Sequence, residues 1–158
     1  MDKKLATKLK INDDKILRAD LLMTIEQLSR QEAVLFASKA VCDFAIEKAY
    51  YSPIIIEEIK NTINSYQQGN VKISSMRSLA LKLHDLARQS PHPLTRAYYR
   101  AWGHVLAAAH VPTHAIVATD YLVYIVNLNA PQNIDAVKAI RQHQLSIAKK
   151  FSSPKIND

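Results

Sequence analysis

The amino-acid sequence predicts an all-α protein: an irregular bundle of about seven helices around a central buried hairpin. Apolar residues recur at three-and-four spacing through almost every segment, the pattern of helices that bury one face. Glycine is scarce, with 2 in 158 residues, whereas a sheet protein rich in tight turns needs more. Prolines and capping residues punctuate the chain at short intervals, and no segment alternates strictly enough to be a convincing strand. The length and an apolar content of 48% suit one domain over residues 1–158 with a real core, its ends loose at 1–12 and 151–158.

The first helix is expected over residues 13–27. Asn12 would cap it, and Asp13 and Asp14 would sit at the positive end of its dipole. Ile16, Leu17, Ala19, Leu21 and Leu28 give its apolar side. Ser29 followed by Glu32 is a capping-box pattern. It opens a second helix to about Tyr50, with Ala33, Val34, Phe36, Ala37, Ala40, Val41, Phe44 and Ala45 inward. Ser52-Pro53 combines a cap with proline at the first helical position. That helix carries Ile55, Ile56, Ile59 and Ile63 and stops at Gly69. Ser74 or Ser75 opens the fourth helix, with Met76, Leu79, Ala80, Leu83, Leu86 and Ala87 as its stripe, and Pro91 and Pro93 end it.

Residues 96–128 form the most apolar part of the chain and hold its single Trp, one of its two Gly and three of its six His. Proline lacks a backbone N–H and pushes the preceding residue out of the α region. Pro112 therefore divides this stretch into a helix from Pro93 to near His110 and a second one that Pro112 opens. An unbroken helix over residues 93–129 would be roughly 55 Å long, against a radius of gyration of about 15 Å for a domain of this size. Gly103 among Ala97, Ala101, Ala107, Ala108 and Ala109 reads as a face that another helix backbone approaches closely. The second helix, AIVATDYLVYIV, is apolar almost all round and so buried, but too short and interrupted to span a membrane. Pro131 and Asn133 start the last helix, with Ile134, Val137, Ile140, Leu145 and Ile147 inward. The helix pairs beginning at Pro53 and Pro93 are offset by 40 residues, a period that would suit a helical-repeat stack. No residue-level similarity links them, which favours an irregular bundle.

The formal net charge is +7. Part of the excess is terminal: Lys3, Lys4, Lys8, Lys10, Lys15 and Arg18 outweigh Asp2, Asp13 and Asp14, and Lys149, Lys150 and Lys155 outweigh Asp158. Such a chain attracts acidic partners. No basic run is dense enough, or sufficiently interleaved with aromatics, to make a nucleic-acid motif. The N-terminal MDKKLATKLKINDDK lacks the apolar core of a secretory signal, and one cysteine excludes an internal disulfide. Both features fit the cytoplasm.

His104, His110 and His114 invite a metal reading, and the last two are four apart as in zinc motifs. But Val111 stands where HExxH has its glutamate, and Pro112 breaks the helix that would align the pair. The alternative is that these histidines cap helix ends or satisfy buried polar groups at the turn. Cys42 could be a nucleophile beside a histidine, but its apolar setting reads as a small core residue. Asp120 in the apolar helix is expected to pair with Arg96, Arg100 or a histidine, or to reach the surface. Tyr98, Tyr99 and Trp102, with Arg96 and Arg100, are residue types enriched in interface hot spots, and equally core aromatics with solvated arginines. No phosphate loop, nucleophile elbow, kinase signature or EF-hand loop is present. No catalytic residue and no cofactor is assigned.

The run Ala101-Trp102-Gly103-His104, then Ala107-Ala108-Ala109-His110-Val111-Pro112-Thr113-His114-Ala115, then Tyr121, resembles the signature of the Imm-5-like family of immunity proteins. The match is clear over about 30 residues, and Trp102 departs from it where a small residue is expected. The resemblance implies an all-α bacterial protein that binds and neutralises a protein toxin made by the same or a neighbouring cell. It singles out Gly103, His104, His110, Pro112, Thr113 and His114 as signature positions. A basic chain is poorly matched to a basic nuclease. If the signature histidines are structural, His110→Ala should lower stability without changing partner affinity.

Overall fold

In the computed structural model, which describes residues 6–44 and 51–152, seven helices and no strand are present. They are α1 (Lys15–Ile25), α2 (Arg30–Asp43), α3 (Pro53–Gln67), α4 (Ile73–Gln89), α5 (Pro93–Ala107), α6 (His114–Asn129) and α7 (Ile134–Ser152). α5 lies at the centre and packs most extensively against α6 and α4, while α1 lies mainly on α7 and α2 bridges α5, α6 and α7. The expected hairpin is thus the α5–α6 pair.

Local chemistry accounts for most boundaries. Ser29 and Glu32 form a reciprocal capping box at α2, satisfying two otherwise orphaned N–H groups. α3 opens on Pro53. It closes through Gly69, at φ 77°, where Gly69 N–H bonds Tyr66 O at 3.0 Å and Asn70 N–H bonds Ser65 O at 2.8 Å. This pair of bonds requires the left-handed conformation that glycine adopts without strain. Asn133 Oδ1 accepts the Ala136 N–H at the head of α7.

Other boundaries differ from expectation. Asp14, not Asn12, caps α1, accepting the Leu17 N–H at 3.0 Å. Asn12 instead holds the chain to the α6–α7 connection, through Asn127 at 2.7 Å and Pro131 O at 3.0 Å, so this end of the expected loose segment is anchored. α2 stops at Asp43, where Phe44 turns to extended backbone and packs on the core. The Asp43 carboxylate accepts bonds from Lys39 and from His143 of α7. The remainder of the expected second helix, including Ala45 and Tyr50, lies outside the described residues. α4 begins at Ile73, just before the serines. α5 ends at Ala107 and α6 begins at His114, because Pro112 sits in the turn itself. Bonds from His114 to Val111 and from Ala115 to Pro112 tighten that turn.

The core runs from Leu21, Phe36 and Ile59 through Leu83, Trp102 and Leu106 to Leu122 and Ile125. Ile16 and Ile134, expected inward, are exposed, whereas Arg18, Arg141 and Gln144 are buried. The charged inward residues belong to one network. Arg18 grips Asp120 bidentately at 2.9 and 2.8 Å. Arg141 donates to Asp120 at 2.7 Å and to both oxygens of Asp13 at 2.9 and 2.7 Å. It also reaches Thr119 Oγ1 and Gln144 Oε1. Asp120 is therefore paired with Arg18 and Arg141 rather than with Arg96, Arg100 or a histidine. Two guanidinium groups and two carboxylates balance, which makes burial of four charges tolerable. Burial opposes the Arg141 charge, but Asp13 and Asp120 outweigh it and hold its pKa above the ordinary value.

Candidate functional site

The α5–α6 hairpin carries the signature residues, and its partly exposed side faces α4. Position 104 lies one helical turn beyond position 100 on α5, so Arg100 and His104 share a face. His84 of α4 meets them from one side, and His114 and Tyr121 of α6 meet His104 from the other. The Nδ1 atoms of His104 and His114 are 3.0 Å apart, and the two rings stack with centroids 5.2 Å apart. His104 stacks on Tyr121 at 5.6 Å and meets the edge of His84 at 5.1 Å. All five side chains are partly buried.

Arg100 donates to His84 Nδ1 at 2.8 Å. A guanidinium can only donate, so this nitrogen must accept, and the neutral ring carries its proton on Nε2. A similar constraint ties His104 and His114: one Nδ1 must donate and the other accept. Burial, with repulsion from Arg100, Arg88 and His114, pushes the His84 pKa down to about 4. Burial, with His84, His114 and Arg100 nearby, pushes His104 down to about 3. His114 is lowered by burial and by His110. The imidazoles are therefore neutral near pH 7. Burial raises Tyr121, so its phenol keeps its proton.

Gly103 is needed here for a side chain rather than for a neighbouring backbone. A Cβ at this position would lie 2.8 Å from His84 Cε1 and Nε2, closer than real contacts allow. The His84 ring lies against the bare α5 backbone, and only glycine leaves room for it.

His104 and His114 thus come together, but His110 stands exposed in the turn, and His84 takes the place expected for it. Among the described residues, no group of three or more His, Cys, Asp or Glu is arranged to hold a metal ion. The metal-binding alternative through His104, His110 and His114 is therefore not favoured. Pro112 and Thr113 are partly buried in the turn. Cys42, expected in the core, is exposed.

The aromatic–arginine set is divided. Trp102 is fully buried, and Tyr98 and Tyr99 are 7% exposed. Tyr98 stacks on Tyr51 at 4.6 Å and meets Trp102 edge-on at 6.4 Å, and burial pushes its pKa up to about 12. The Tyr99 hydroxyl accepts the Ser52 N–H at 3.0 Å. Of the five, only Arg96 is exposed and Arg100 half-buried. His84 was not singled out by sequence reasoning. The only available signal was a polar residue next to the Leu83 core position, and that pattern is common on amphipathic helices.

Fold and site together define an all-α protein with a neutral imidazole cluster on a central hairpin. The chain belongs to the Imm-5 like putative immunity protein family, whose model matches residues 23–151. That span contains the whole cluster. No curated protein and no solved structure matches the chain. Among the described residues, no helix is long and apolar enough to cross a membrane.

Proposed function

We propose that this protein is a bacterial immunity protein that binds a protein toxin in the cytoplasm and occludes it without chemistry of its own. The family match over residues 23–151 carries this reading. The fate of the polar groups supports it. Asp120, the acid within the apolar helix, is consumed by Arg18 and Arg141. The clustered histidines bond to one another and to Arg100, and no described carboxylate bonds these three rings to orient one as a general base; the Asp43–His143 pair is exposed and lies on α2 and α7. Binding alone inhibits an enzyme when the bound surface covers its substrate path.

The test is co-expression with each polymorphic-toxin domain found encoded near this gene in its source genome. Growth should be restored, and a stable complex should co-purify. A toxin that kills equally well with and without this protein would refute the reading. Recovery of only nucleic acid would move it towards a nucleic-acid accessory role.

A further inference from the structure

Seven arginines occur in the chain, and four of them, Arg30, Arg77, Arg88 and Arg96, are exposed. The remaining three are withdrawn from solvent to some degree. Arg18 and Arg141 are each bonded to aspartate. Among the described residues, Arg100 is bonded only to the neutral His84 ring, and no carboxylate pairs with it. A partly desolvated cation is costly without a counter-charge, and the other two arginines show how this fold normally supplies one. The groups around Arg100 add no negative charge. His84 faces it from α4, with Arg88 beyond, already bonded to Asp85 on its own helix. His104 shares α5, and His114 and Tyr121 come from α6. Asp120 acts on Tyr121 of this group, but its charge is already balanced by two arginines.

We propose that the face where α4, α5 and α6 meet around Arg100, His84, His104, His114 and Tyr121 is a docking surface for a carboxylate of a protein partner. An aspartate or glutamate side chain would complete the Arg100 fork, whose Nε–H and remaining N–H groups are available for bidentate bonding. Neutral imidazoles and a protonated phenol add hydrogen-bonding capacity and stacking area, as in interface hot spots. Within the cluster Arg100 is the one cation, and no described carboxylate pairs with it, which suits a singly charged group. A nucleic-acid backbone would call for several exposed cations in a row. The inference rests on the immunity reading for the partner's identity, but not for the chemistry of the surface.

The experiment has two arms. In the first, hexaglutamate is titrated at pH 7 and low salt while the histidine and tyrosine ring signals are followed by NMR. Signals of His84, His104, His114 and Tyr121 should shift saturably. Arg100→Gln should weaken this at least tenfold, whereas Arg30→Gln on α2 should leave it unchanged. Unmoved ring signals, or tighter binding of inorganic phosphate or a single-stranded oligonucleotide at the same signals, would overturn the proposal. In the second arm, the toxin identified by co-expression is titrated with the same variants. Arg100→Gln should lose roughly 10- to 100-fold in affinity with an unchanged circular dichroism spectrum. If it fails to fold, Arg100→Lys, which keeps the charge without the fork, should show a smaller loss. Equal toxin affinity in wild type and the folded variant would remove the surface and leave the immunity reading intact. Binding of hexaglutamate at these rings without any toxin protection would remove the immunity reading and leave the surface.

Discussion

Asp120→Asn is the most informative perturbation of the fold. Asp120 is fully buried and accepts from Arg18 at 2.9 and 2.8 Å and from Arg141 at 2.7 Å. Asparagine keeps the shape but removes the charge and turns one acceptor into a donor facing a guanidinium. Arg18 then loses its bidentate carboxylate partner, and the one full negative charge left in the network, Asp13, is already bidentate with Arg141. Removing one member of a buried ionic set costs about 3–5 kcal/mol, because the remaining charge is uncompensated. A domain of this size is stable by only ~5–15 kcal/mol, and its melting point moves ~2–4 °C per kcal/mol. Asp120→Asn should therefore melt roughly 6–20 °C below wild type, with a matching fall in the urea midpoint. The exposed Arg88–Asp85 pair provides the control: Asp85→Asn should cost less than about 1 kcal/mol. The same four charges predict that Arg18→Met, Asp120→Leu, Arg141→Met and Asp13→Asn together, which leave no unpaired buried charge, are less damaging than Asp120→Asn alone. A loss below ~1 kcal/mol for Asp120→Asn would show that the network does not act as a unit.

Three further outcomes follow from the site. Gly103→Ala should destabilise by about 1–3 kcal/mol through overpacking against His84, less the ~1 kcal/mol that alanine regains in a helix. Adding His84→Ala should cancel most of the loss, and additive melting-point shifts would refute the steric cause. For pH, His84 and His104 bind protons more weakly folded than unfolded. Their contribution is complete above about pH 6.5 and is lost as pH falls towards 4 for His84 and 3 for His104. The slope is at most about 1.4 kcal/mol per pH unit per histidine, less at partly exposed His84. Urea midpoints at pH 7, 6 and 5 should fall progressively, and His104→Gln should flatten the series. A flat wild-type series would contradict the neutral cluster. His110→Ala should stay within ~0.5 kcal/mol of wild type, because His110 is exposed rather than a buried structural group. A larger drop in the melting point would return it to the cluster.

The helix count, the hairpin about Pro112, the capping box at Ser29 and the stop at Gly69 were legible in the sequence. These features depend on proline and glycine stereochemistry, capping hydrogen bonds and apolar periodicity, all of which act within a few residues. The Leu83 stripe could be read from periodicity for the same reason, whereas Trp102, open to an interface or a core reading in the sequence, is fully buried. The charge pairs and the histidine grouping could not. Arg18, Asp120 and Arg141 look in isolation like two solvated arginines and one awkward acid. Only the packing of α1, α6 and α7 makes them partners, over sequence separations of 102 and 21 residues. Likewise, spacing grouped His104, His110 and His114. The tight turn after Ala107 turns His110 out to solvent, and the packing of α4 on α5 brings His84 in. Local stereochemistry determined the elements, while the choice of which polar side chains share a low-dielectric site was made by the tertiary structure, because that choice depends on helix faces distant in the chain.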